Sequence, residues 1–86
     1  MKINYSKKFV KQYSKQNIKI KNKFIERQNL LISDSFDFFL NNHSLSGEFV
    51  GYRSINITGD IRAIFEETGD DSIEFIAIGS HSELYS

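Results

Sequence analysis

From Met1 to about Leu40 the apolar positions recur at helical spacing, whereas after Gly47 they alternate or run together as strand residues do. Lys2 to Tyr5 is a short β-prone segment, and Ser6 is an N-cap candidate for a helix reaching about Gln16. Phe9, Val10 and Tyr13 share one face of that helix, and Lys7, Lys8, Lys11 and Lys15 take the rest. A second helix is predicted from about Ile18 to Ser33, where Ile20, Phe24 and Leu31, widened by Ile25 and Ile32, form a stripe. Together these make a helical hairpin. Asp34 or Ser35 caps a short third helix through Phe36, Phe38, Phe39 and Leu40, ending at Asn41 and Asn42; phenylalanines so densely placed read as core.

Three strands follow, Phe49 to Thr58, Ile61 to Thr68 and Ser72 to Ile78, separated by the hairpin punctuation Thr58-Gly59-Asp60 and Gly69-Asp70-Asp71. Period two puts Tyr52, Ser54, Asn56 and Thr58 on a polar face, with Ile55 and Ile57 opposite. Arg53 falls on the apolar side, so either its stem packs there with the head escaping at an edge, or a bulge shifts the register. In the next strands Ile61, Ala63 and Phe65 oppose Arg62, Ile64 and Glu66, while Ile73, Phe75 and Ala77 oppose Glu74, Ile76 and Ile78. Apolar residues on both faces suit a central position in a sheet. The expected fold class is α+β: an N-terminal strand, a helical hairpin with a short third helix, and a three-stranded antiparallel meander, in one domain over residues 1–86.

Composition narrows the chemistry. Eighty-six residues support one core rather than two. The absence of cysteine excludes a disulfide framework, a thiolate nucleophile and a cysteine-based zinc site. No apolar run approaches the roughly 20 residues that cross a bilayer, and the start lacks the apolar stretch of a signal peptide, so a cytoplasmic protein with no membrane partner is expected. The net charge of zero is divided: Met1 to Asn29 holds eight lysines and Arg27 against Glu26, a net of +8, and the remainder holds Arg53 and Arg62 against ten acids, a net of −8. The basic part suits nucleic acid or an acidic partner, or else complements the acidic half of its own fold.

Both histidines lie in polar turns beside strand-like sequence, His43 in Asn-His-Ser-Leu-Ser-Gly and His81 in Gly-Ser-His-Ser-Glu. Histidine has the unperturbed pKa nearest physiological pH, so a pair brought together by a small sheet can move protons both ways. Each candidate also has a purely structural role open to it. His43 can close the helix-to-strand loop by bonding the backbone of Asn41 or Asn42, and His81 can cap the terminal helix or pair with Glu83. Asp60 after glycine is ordinary turn chemistry. Arg62 can pair across the strands with Glu66 or Glu74, and Tyr85 can seal the core edge. A metal site from His43, His81 and Asp60 has no local ligand spacing behind it.

The order of elements, with HSLSG, GYRSINITGD, IRAIF and GSHSELY at their present spacing, resembles toxins of the RelE/ParE superfamily, especially the YafQ type. The likeness covers essentially the whole chain in outline, and its specific motifs lie in residues 43 to 85. It implies the toxin of a type II toxin–antitoxin pair, a ribosome-dependent endoribonuclease that cleaves messenger RNA in the A site with neither metal nor other cofactor. The implied partners are a cognate antitoxin, the ribosome with its message, and operator DNA through the antitoxin complex alone.

Carried over residue by residue, the resemblance implies that His43, in an intact His-x-Leu-x-Gly pattern, Asp60 and His81 are catalytic, and that the aromatic four positions on is Tyr85. Asn56 stands where YafQ-type toxins usually carry another histidine; asparagine can orient or donate a hydrogen bond but cannot exchange a proton near neutral pH. Arg62 matches an arginine of the RelE branch. Cleavage of RNA by its own 2′-hydroxyl needs a base, a cation on the phosphorane and an acid for the departing 5′-oxygen. In this reading His81 is the acid, Asp60 or His43 is the base or orients it, and Arg62 binds the scissile phosphate. Tyr85 stacks on a base, and Asn56 with the lysine face of Lys8, Lys11 and Lys15 contacts substrate.

Two other readings stay open. A toxin-like or ParE-like module binds an antitoxin, DNA or gyrase without catalysis and has no need of the histidine pair. A plain nucleic-acid-binding domain relies on the lysine-rich hairpin and loses binding when Lys8, Lys11 and Lys15 are neutralised. The computed pI near 6.7 demands that the acidic half keep its carboxylates away from any RNA path.

Overall fold

The computed structural model describes residues 1–85 and begins with strand β1 (Lys2–Tyr5), followed by helices α1 (Lys7–Ser14) and α2 (Ile18–Ser33). Both helices start on the caps their sequences offer: Ser6 Oγ accepts from the Phe9 amide at 3.0 Å, and Asn17 Oδ1 accepts from the Ile20 amide at 2.9 Å. A single 3₁₀ turn (Phe38–Leu40), a two-residue strand β2 (His43–Ser44) and a second 3₁₀ turn (Gly47–Phe49) lead to strands β3 (Tyr52–Asn56), β4 (Ile61–Gly69) and β5 (Ser72–Ser80), and helix α3 (His81–Tyr85) closes the chain.

The predicted meander is the centre of a five-stranded sheet ordered β1-β5-β4-β3-β2. β1 adds to β5 in parallel, Lys2 opposite Ser72 and Tyr5 opposite Phe75, and every other pair is antiparallel. Where β1 ends, α1 takes over the exposed edge of β5: Ser6 Oγ donates to the Ile76 carbonyl at 3.0 Å, and the Ile78 amide donates to Gln12 Oε1 at 2.9 Å. This side-chain continuation of the ladder satisfies backbone groups that would otherwise be stranded at the sheet edge. The helices meet the sheet, and each other, through one core in which Phe9, Phe24, Phe65 and Phe75 interlock with Leu31, Leu40, Ile55 and Ile78.

Four expectations need correction. The first meander strand is shorter than Phe49 to Thr58, because Phe49 is spent in the 3₁₀ turn and Gly51 sits at φ +95°, a left-handed geometry that breaks the extended run before Tyr52. In β5 strict alternation fails: Ile64 faces Ala77 but Phe65 faces Phe75, so Ile76 is a bulge that turns Ile78 into the core and Ala77 to the opposite face. Phe36, Phe38 and Phe39 are not core. They are 71%, 88% and 65% exposed, because Asp37 caps only one turn, which has no second row of residues and buries Leu40 alone. Arg53 and Arg27 lie 5.4 and 5.6 Å from the Phe36 and Phe39 ring centres and partly cover them. Lastly, Val10, Ile25 and Ile32 are exposed, so the apolar stripes of both helices are narrower than their sequences suggest. Arg53 resolves in favour of an escaping head, its Nε donating to Asn42 Oδ1 at 2.8 Å beside the sheet edge.

Candidate functional site

Strand pairing assembles a polar site on the face of the sheet opposite α1 and α2. β2 pairs with β3 so that His43 stands opposite Ser54, and β3 pairs with β4 so that Asn56 stands opposite Arg62. Ser54 and Arg62 lie on the polar side of the alternation. β5 then ends at Ser80, which starts α3 through a reciprocal cap: the Ser80 amide donates to Glu83 Oε1 at 2.8 Å and the Glu83 amide to Ser80 Oγ at 3.2 Å. Hydrogen bonding to its carboxyl, from the Ser80 amide first and the Ser80 hydroxyl next, holds Glu83 below its ordinary range. The His81 amide donates to the Asp60 carbonyl at 3.2 Å, which ties α3 to the β3–β4 turn.

The result is a cavity of about 280 Å³ lined by His43, Leu45, Ser46, Ser54, Arg62, His81 and Tyr85. The His81 and Tyr85 rings lie 4.7 Å apart, and Phe49 meets the Tyr85 ring edge-on at 5.5 Å, so the tyrosine forms a fixed wall. His43 Nδ1 is 2.7 Å from the Asn41 carbonyl. A carbonyl only accepts, so Nδ1 carries the proton and the neutral ring keeps its lone pair at Nε2. The loop bond envisaged as a structural role therefore also fixes the tautomer. Asn42 pins the same loop from both sides, its Nδ2 donating to the Ser35 carbonyl at 2.8 Å while its Oδ1 receives Arg53.

Arg62 Nη1 donates to the Thr58 and Gly59 carbonyls, each at 3.1 Å. These bonds orient the guanidinium and leave its Nε and Nη2 edge for a ligand, a fork that matches two oxygens of a phosphate. Among the described residues Arg62 pairs with neither Glu66 nor Glu74, and no carboxylate lines the cavity. No group of three or more His, Cys, Asp or Glu side chains converges in metal-binding fashion among those residues.

Of the sequence candidates, His43, Arg62, His81 and Tyr85 come together. Asp60 is exposed at the turn and meets the site through its main-chain carbonyl rather than by lining the cavity. Asn56 lines a separate groove against α2. Lys8 and Lys11 are exposed on α1, and Lys15 lines a third cleft beside Glu83 on α3. Ser54 is a cavity residue that the sequence motifs do not mark. Its side chain is 1% exposed, its Oγ has no hydrogen-bond partner and it lines the cavity floor. Its place on the polar face of the first meander strand was the available signal.

Residues 1–86 match the family described as the bacterial toxin of a type II toxin–antitoxin system, YafQ. No curated protein matches the chain. Among solved structures, the chain is similar to YafQ from E. coli strain BL21(DE3) at 25% identity and TM-score 0.82, covering 98% of this chain and 97% of that one. It is also similar to E. coli YafQ in the DinJ–YafQ complex, at 26% identity, TM-score 0.76 and coverage of 98% and 97%. The YoeB–YefM complex from Staphylococcus aureus shares the fold at 19% identity, TM-score 0.76 and coverage of 94% and 97%. The chain thus belongs to the YafQ family of type II toxin–antitoxin toxins.

Proposed function

We propose that this protein is a ribosome-dependent endoribonuclease that cuts messenger RNA by acid–base catalysis in the cavity between β2, β3, β4 and α3, and that a cognate antitoxin restrains it. The observation that carries the reading is the grouping of two imidazoles with an arginine whose Nε and Nη2 edge is unused, around one small cavity without a carboxylate. Cleavage proceeds by attack of the 2′-oxygen on the adjacent phosphorus. His43 Nε2 takes the 2′-hydroxyl proton, since Nδ1 is committed to Asn41. Arg62 holds the charge that builds on the phosphorane, and His81 gives a proton to the departing 5′-oxygen, leaving a 2′,3′-cyclic phosphate and a 5′-hydroxyl. Each proton transfer supplies roughly 10²- to 10⁴-fold, and a well-placed donor to the phosphorane about 10²- to 10³-fold. Tyr85 stacks on a base beside the scissile bond in this proposal. Asp60 acts through its carbonyl, seating His81 at the start of α3.

The ribosome supplies the in-line strand that a cavity of this size cannot impose by itself. Similarity to a YafQ chain in complex with DinJ supports an antitoxin partner, and in this proposal the protein reaches operator DNA only through that partner. Product ends give the test. Message from a ribosome reaction containing EDTA-treated protein is expected to carry 5′-hydroxyl and 2′,3′-cyclic phosphate ends. Ends bearing 5′-phosphate would overturn the mechanism.

A further inference from the structure

A second, larger cavity of about 600 Å³ runs between α2 and the end of the β3–β4 hairpin. Lys19, Lys23 and Arg27 line it from a single row of α2, spaced four residues and so about 6 Å apart along the axis. No acid lines it; Glu26, at 3.2 Å from Lys23, stands outside. Phe39 forms one wall and is 65% exposed, with the Arg27 guanidinium 5.6 Å from its ring centre. Arg27 has no hydrogen bond or ion pair among the described residues, and both its Nε and Asn56 Oδ1 are shielded from water without partners. Leaving a donor and an acceptor unpaired is unusual unless a ligand or water meets them.

We infer that this groove is a subsite for single-stranded RNA, taking a nucleotide next to the one cut; the inference rests on the reading of the protein as a messenger RNA nuclease. The row of cations suits a phosphate backbone, and the exposed part of the Phe39 ring suits a base. An acidic peptide would use the cations but has no call on an exposed aromatic face. The groove also adjoins the cleavage cavity: Thr58 and Gly59 line it, and their carbonyls hold Arg62 of the cavity. One strand can thus lie across both.

The test is NMR titration of the folded protein with a ten-nucleotide 2′-O-methyl RNA, which cannot be cut, run on wild type, Phe39→Ala, Lys19→Ala and His81→Ala. Shifts are expected at Phe39, Asn56 and Gly59. Phe39→Ala weakens binding about five- to a hundredfold, and Lys19→Ala lowers the slope of log affinity on log salt by about 0.7. His81→Ala keeps the groove shifts. Because Phe39 and Lys19 are exposed, the variants remain folded, which their spectra report directly. Shifts confined to His81 and Arg62, with Phe39→Ala binding unchanged, overturn the subsite while leaving the nuclease reading intact. A poly-glutamate peptide of equal length that outcompetes the RNA also overturns it and reassigns the groove to an acidic protein. Groove binding by an unmodified message that the wild-type protein fails to cut on ribosomes removes the nuclease reading, overturns the placement beside a cut nucleotide, and leaves the groove as a plain RNA-binding site.

Discussion

On the side of the sheet that receives α1 and α2, Phe65, Phe75 and Ile78 meet Phe9, Phe24 and Leu31 in a buried aromatic and aliphatic cluster. On the other side the same central strands present Ser54, Ile64, Ala77 and Arg62, with α3 packed against β5 and the Tyr85 ring standing over the cavity. The strands alternate, so neighbouring residues on one strand serve opposite ends. Ala63 and Phe65 of β4 join the core, and Arg62 between the turn and Ala63 reaches the cavity. A small domain can keep a charged, half-open cavity on one face because nearly all its aromatic burial is concentrated on the other.

That division predicts that stability and activity separate by face. The largest effect on folding is expected from Phe75→Ala, since Phe75 touches the rings of Phe9, Phe24 and Phe65. Its loss costs about 3–5 kcal/mol, a large share of the roughly 5–15 kcal/mol that holds a domain, and urea unfolding measures it. His81→Ala is expected to do the reverse, lowering cleavage about 10²- to 10⁴-fold with unfolding free energy changed by about 0.5 kcal/mol or less. Asn42→Ala removes both the bond from Arg53 and the bond to the Ser35 carbonyl that pin the loop bearing His43. It costs about 1 kcal/mol, the group being half exposed, and lowers cleavage about tenfold through misplacement of the imidazole, with the pH profile unchanged. Ser54→Ala breaks no hydrogen bond, so it leaves stability within about 0.5 kcal/mol and reduces cleavage a few-fold by removing a donor from the cavity floor.

The smallest effect concerns α3. The Glu83 carboxyl is held below its ordinary value by the Ser80 bonds, so its contribution is present above the unfolded carboxyl's pKa and is lost as pH falls through the folded one. Amide exchange at Glu83 and Leu84 is expected to rise in that acid range, and Glu83→Gln, which can still cap, removes the pH dependence.

Local chemistry was legible in the chain, and long-range pairing was not. Ser6 as a cap and the bounds Ile18–Ser33 could be read because capping and helical period act over a few residues. The parallel pairing of β1 with β5 joins the two ends of the chain and leaves no periodic trace. The bulge at Ile76 was equally hidden, since an inserted residue in an all-apolar run looks like its neighbours. Phe36, Phe38 and Phe39 misled because composition says core, whereas a one-turn element has nowhere to bury them. The site divides similarly. That His43, Arg62, His81 and Tyr85 share a cavity followed from resemblance rather than spacing, because they come from two strands and a helix that are far apart in the chain. Asn56 stands opposite Arg62 in the β3–β4 pairing yet lines the α2 groove rather than the cavity, which strand parity alone does not reveal.

The central claim is that the polar face cuts message on the ribosome. Its most direct test maps messenger RNA 5′ ends in a purified translation reaction containing the wild-type protein, His81→Ala or His43→Ala, with and without ribosomes. New ends in phase with codons, seen with the wild type and ribosomes and lost in both variants, are the predicted result. Intact message at high wild-type concentration, or equal cutting by His81→Ala, would contradict it.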